Sequence, residues 1–184
     1  SSDAAPVEQK VTQQDEGSLE PWSDMRKAIT RTVTHSAAIP QITLFTRASA
    51  TRMMELRDVD RTIAYDDVII FCVSRTLKEH PRLNSSYEDA GLRIHSQANV
   101  GLAIAMEEGL MIPVVKGACG LSLPEICEER KHLVDLVRSR SALTDELEGG
   151  TFSVTNLGMF PVDRFTALLY PSQTGILSVG RIQQ

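Results

Sequence analysis

The chain has 184 residues, 42% hydrophobic and 23% charged, with a net charge of −5. Such a balance supports one packed domain with or without a tail, and it excludes wholesale disorder and the basic face of a nucleic-acid binder. The longest purely apolar run, Val68–Val73, is far too short to span a membrane, and Cys72, Cys119 and Cys127 form neither a disulfide framework nor a CxxC metal pair.

Residues 1–20 are polar and aperiodic, as in a linker or loosely docked arm, and the first ten carry no apolar core of the signal-peptide kind. A single domain is expected over 21–184. Trp22, Met25, Ile29 and Val33 recur at helical spacing, with Ser23 or Asp24 available as a cap and Pro40 ending the segment. Gln41–Arg47 alternates and is rich in β-formers, which predicts a strand. Thr51 to about Asp58 suits a short helix. Asp66 and Asp67 suit a helix first turn, and Val68–Leu77 is apolar on nearly every side, predicting a buried helix. Asn84-Ser-Ser-Tyr predicts a turn.

Asn99–Met106 predicts a strand with Val100, Leu102, Ile104 and Met106 on one face. Gly101, Ala103 and Ala105 on the other face would let a neighbouring layer approach closely. Glu107-Glu-Gly109 predicts a hairpin turn returning through Leu110–Val115, with Pro113 marking an edge or bulge. Leu123, Ile126, Cys127, Leu133, Val134 and Val137 form the stripe of a long helix to about Ser141. Gly149-Gly150 interrupts; Thr151–Thr155 alternates as a strand; Asn156–Pro161 predicts a loop; Gly175–Gly180 predicts a last buried strand. The mix of helices and hairpins gives an α+β two-layer sandwich.

Common nucleotide, zinc-protease and α/β-hydrolase motifs are absent from the sequence, and no metal site is expected. His35 and His80 sit where helices end, His95 lies on a polar strand edge and His132 on a charged helix face, so each has a structural reading ahead of a catalytic one. Cys72 and Cys127 read as small core residues, whereas Cys119 lies between glycines in a flexible place. Thr155-Asn156-Leu157-Gly158 ends a strand with a hydroxyl and an amide; on local pattern alone it reads as an Asn turn.

The order of the segments carries more than any one of them. Met25–Ile29, Ile39–Thr43, His80–Tyr87, Asn99–Ala103, Glu108–Val115, Gly149–Phe160 and Ile176–Gly180 together resemble the catalytic domain of the E2 acyltransferases of 2-oxo acid dehydrogenase complexes. The resemblance covers about residues 22–182. It implies a chloramphenicol-acetyltransferase-like fold, with a mixed sheet and helices on one face. It further implies homotrimers that build cubic or dodecahedral cores, in bacterial cytoplasm or the mitochondrial matrix. The implied reaction moves an acyl group between a dihydrolipoyl arm on a separate domain and coenzyme A, alongside E1 and E3 components and lipoyl domains.

By the same resemblance, Thr155 holds the position of the hydroxyl that stabilises the oxyanion, with Asn156 and Gly158 at the substrate, and Arg26 best matches an arginine supporting the carboxylate of an H-x-x-x-D/N-G motif. None of the four histidines fits that motif, which the family places after further strands, so a domain that stops before its base is expected. Met54–Ala64 is shorter than the family's usual connection, and Pro161 stands where the family often has glycine. A catalytically inactive E2-like core component is the alternative, and a stand-alone chloramphenicol-type acetyltransferase a weaker one.

Overall fold

The computed structural model describes residues 17–107 and 109–183. Most of the expected arm, residues 1–16, and Glu108 of the expected hairpin turn lie outside these residues. Helix α1, Asp24–Ala37, starts at Ser23, whose hydroxyl accepts from the Arg26 N–H. Only part of its stripe is covered: Met25 and Ile29 are half-buried, while Trp22 and Val33 remain 57% and 42% exposed. Gln41–Arg47 forms no strand. Its alternation is real, but a strand needs a neighbour for its backbone ladder, and among the described residues no strand pairs with it; Ile42 and Leu44 are almost fully exposed. Helix α2 follows over Thr51–Val59.

Helix α3, Tyr65–Glu79, is buried along one face, through Asp67, Ile70, Ser74 and Leu77. Cys72 lies on the opposite face and is exposed, which corrects its expected core placement; Cys127 is buried as expected. The Asn84–Tyr87 segment is mostly strand rather than turn: β1, Ser85–Glu88, pairs antiparallel with β2, Gly91–Ile94. The reversal falls at Asp89-Ala90, where Gly91 takes φ +142, a value L side chains rarely adopt. Cross-strand pairing overrides the turn preference of the two serines.

The expected strand from Asn99 is interrupted at Ala103, giving β3 (Val100–Leu102) and β4 (Ile104–Met106). β4 pairs with β5 (Gly109–Met111) in a separate ladder, while β3 stays in the main sheet with β6 (Val114–Val115). Pro113 precedes β6, which is an edge strand, as its missing N–H requires. Helix α4, Leu123–Arg138, opens with Ser122 and Glu125 in a capping box, and a short helix α5, Thr144–Leu147, follows. β7, Phe152–Asn156, and β8, Ile176–Val179, complete the sheet in the order β6-β3-β7-β8. β7 runs parallel to both β3 and β8, and β6 antiparallel to β3, so the sheet is mixed.

Helices α3 and α4 share one core with the sheet. Ile70 and Leu77 from α3, Ile126 and Leu133 from α4, and Val100, Leu102, Phe152 and Val154 from the strands make a single buried cluster. The other face is covered by loops: Ile112 sits so close to Gly101 that a Cβ there would lie 2.7 Å from its Cγ2, and the Ser153 hydroxyl donates to Gln173 Oε1 at 2.8 Å. Asp67, fully buried, ties the two helices by accepting from Arg130 Nε and Nη2 while its Oδ2 also accepts from the Ala64 N–H at 2.7 Å. Removing one partner of a buried ion pair strands the other charge. Asp67→Ala is therefore expected to cost about 3–5 kcal/mol of stability in urea unfolding. Cys72→Ala, on the exposed face of the same helix, should stay within about 0.5 kcal/mol.

Candidate functional site

β7 alternates across the sheet. Phe152 and Val154 belong to the core under the helices, and Ser153 and Thr155 point to the opposite face. Thr155 pairs in register with Ser178 of β8 and is half-buried. Its hydroxyl makes no hydrogen bond among the described residues. Its neighbour is fully engaged: Asn156 Nδ2 donates to Asp66 Oδ1 at the start of α3, and Asn156 Oδ1 accepts from the Gly158 N–H, both at 2.7 Å. The Asn turn expected from local pattern is present, with a distant carboxylate added.

Beyond β7 the chain folds tightly onto the end of β8. Leu157 N–H donates to the Val179 carbonyl at 2.9 Å, and Arg181 N–H to the Val162 carbonyl at 2.9 Å. A Cβ at Gly158 would lie 2.9 Å from Asn156 Oδ1, and one at Gly180 would collide with the Asp163 carbonyl. Arg181 Nε donates to Asp163 Oδ1 at 2.5 Å across the same corner.

Thr155, Asn156 and Gly158 are thus brought together at one strand end. Arg26 is not among them: it is exposed on α1, whose Ile29 lies against Gly109 of β5, and its guanidinium has no hydrogen bond or ion pair among the described residues. The histidines stand elsewhere. His35 is in the last turn of α1, His80 caps the end of α3, and His132 is exposed on α4. His95 is half-buried with Nε2 2.6 Å from Ser86 Oγ. Cys119 is half-buried in a short 3-10 turn, and the Cys127 thiol donates to the Thr62 carbonyl at 3.3 Å. Cavities of about 340 and about 240 Å³ open near Cys119 and near Gln173, and neither is lined by Thr155. No cluster of three or more His, Cys, Asp or Glu among the described residues is placed to hold a metal ion, and no described helix is long and apolar enough to cross a membrane.

Asp66 is the site residue that sequence reasoning missed. The sequence marks it as an acid in a helix first turn, and nothing local announces a partner 90 residues away. Burial pushes its carboxyl above the ordinary carboxylate range, opposed by the hydrogen bond from Asn156 and the nearby Arg130 charge.

The family model of the 2-oxoacid dehydrogenases acyltransferase (catalytic domain) matches residues 14–184. A dihydrolipoyllysine-residue acetyltransferase component of the acetoin cleaving system of Bacillus subtilis is 36% identical over 87% of this chain and 43% of its own length. The chain therefore spans about two-fifths of that relative. The crystal structure of a probable dihydrolipoamide acetyltransferase from Listeria monocytogenes superposes with a TM-score of 0.86 at 28% identity, over 91% of this chain and 76% of that one. The atomic structure of the cubic core of the pyruvate dehydrogenase multienzyme complex has the same fold, with a TM-score of 0.84 at 23% identity over 96% and 78%.

Asp66 supplies a test of the site's electrostatics. A raised folded-state pKa means that its protonated form is favoured by folding; that stabilisation is complete below the ordinary carboxylate range and is lost as pH rises through the raised value. Asp66→Asn removes the titration while keeping an acceptor for Asn156. The stability of this variant relative to the parent should grow as pH rises from 3 to 7, as read by urea midpoints.

Proposed function

The chain belongs to the 2-oxoacid dehydrogenase acyltransferase family, and from that premise we propose that it moves an acyl group between a dihydrolipoyl thiol and coenzyme A. The lipoyl group is carried by a separate domain, and coenzyme A is the second substrate. The thiol of one substrate attacks the thioester carbonyl carbon of the other. Its proton must leave, because a thiol with a pKa of about 8.5 is mostly neutral at pH 7. The carbonyl becomes a tetrahedral oxyanion, which collapses and expels the second thiol.

The observation that carries this reading is the Thr155 hydroxyl, held at the end of an interior strand with no hydrogen-bond partner among the described residues. It is free to donate to the oxyanion as charge develops there. Both ends of the Asn156 amide and the Gly158 N–H are bonded within the chain, so they hold the strand end in place. Deprotonation falls to the motif histidine that the family resemblance implies, since His35, His80, His95 and His132 are placed elsewhere. Arg26, exposed and unpaired among the described residues, is left for the carboxylate of that motif. A strand-end hydroxyl without a partner among the described residues suits a site that a second copy completes, as in trimers of a multienzyme core. E1 and E3 components act through domains other than this one.

Acyl transfer from acetyl, succinyl or branched-chain acyl coenzyme A to dihydrolipoamide by the full-length protein tests the reading. Thr155→Ala is expected to lower kcat by about 10²–10³, and Thr155→Ser to keep most of it. A parent protein that folds and transfers none of these acyl groups would leave the non-catalytic core component as the better account.

A further inference from the structure

Asn156 is symmetric in shape and asymmetric in chemistry. One end of its amide donates and the other accepts, and nothing in the side chain itself decides which end points where. Here the acceptor end must face inward, because only Oδ1 can take the Gly158 N–H. An ionised carboxylate accepts and does not donate. Asp66 Oδ1, 2.7 Å from Nδ2, therefore selects the orientation in which Oδ1 is left for Gly158.

We propose that Asp66 is a positioning residue for the oxyanion donor: through Asn156 it fixes the Gly158 N–H, and with it the reversal that sets Thr155 at the end of β7. This inference rests on the acyl-transfer reading above. The geometry suits the role. Asp66 stands beside Asp67, which is locked by Arg130 and the Ala64 N–H, so its backbone is fixed by the α3–α4 clamp. After Asn156, Leu157 N–H bonds the Val179 carbonyl and Gly158 packs against Gly180, so the Asn156 amide supplies the remaining tie on the Gly158 N–H. Releasing the amide would let the reversal relax and shift the residue immediately before it. Misplacing a reacting group by about 1 Å can cost roughly 10²-fold in rate.

The test is a double-mutant cycle in the full-length protein, read in kcat, KM and amide exchange. Asp66→Ala should lower kcat roughly tenfold with little change in KM for either substrate. Asp66→Asn, which keeps an acceptor but adds a donor, should recover only part of the loss. In a Thr155→Ala background, Asp66→Ala should change kcat less than about twofold, since the donor it positions is already gone. Exchange at the Gly158 amide should speed up in Asp66→Ala and fall between that rate and the parent's in Asp66→Asn, with the Ala64 amide unchanged in both. An equal loss of kcat in both backgrounds, or an unaltered Gly158 exchange rate, overturns the positioning role. If Thr155→Ala leaves kcat unaltered, the acyl-transfer reading of Thr155 fails instead, and Gly158 exchange still decides whether Asp66 holds the strand end.

Discussion

Two adjacent carboxylates at the start of α3 hold this structure together in two directions. Consecutive residues on a helix point about 100° apart, so Asp66 and Asp67 cannot serve the same neighbour. Asp67 turns toward α4 and meets Arg130; Asp66 turns toward the sheet and meets Asn156. One contact ties the two helices of the layer together, and the other fixes the end of β7 to that layer. Their environments differ accordingly. Asp67 has a cation and a backbone N–H, so its charge is compensated at the point of burial. Asp66 has an amide and the nearby Arg130 charge, and burial outweighs both, which pushes its carboxyl up.

The β7–β8 corner shows the same economy. Parallel pairing brings the ends of both strands to one edge, and each chain must then leave without colliding with the other. Gly158 and Gly180 make that possible, since a side chain at either would meet Asn156 and Gly180, or Asp163. A ladder with glycines at both exits packs tightly and still leaves one hydroxyl, that of Thr155, unused. Packing of this density transmits small displacements instead of absorbing them.

Much of this was legible in the sequence. The stripe Leu123, Ile126, Leu133, Val137 specified α4, the alternation in Thr151–Thr155 specified β7, and both pack as their periods require. Ordered family segments carried the fold class and pointed to Thr155. Where local reading failed, the missing information was a neighbour. Gln41–Arg47 has a strand's pattern without a partner among the described residues, and Ser85–Tyr87 has a turn's composition but finds β2 beside it. Val68–Leu77 looked apolar all round, yet a helix against one sheet buries only one side, and Cys72 fell on the other. Asp66 and Asn156 are each ordinary in sequence, and only the fold makes them a pair.

A hydroxyl at a strand end, as proposed for Thr155, is a demanding choice of oxyanion donor, because a single rotatable bond stands between the backbone and the oxygen. Three features reduce that freedom here. The strand is interior, bonded to β3 through Val154 and to β8 through Asn156, so Thr155 pairs with Ser178 directly after the residue where the β3 ladder ends. Threonine is branched at Cβ, which narrows its χ1 wells compared with serine. The following residue is anchored through Asn156 to a helix whose own position is clamped by a buried ion pair. Electrostatic stabilisation depends on donors already in place when charge develops, so that none of the interaction is spent on reorganisation. On that ground threonine and serine differ at this position only by rotamer populations, a factor of about three at most for three staggered wells. Alanine removes the proposed donor altogether.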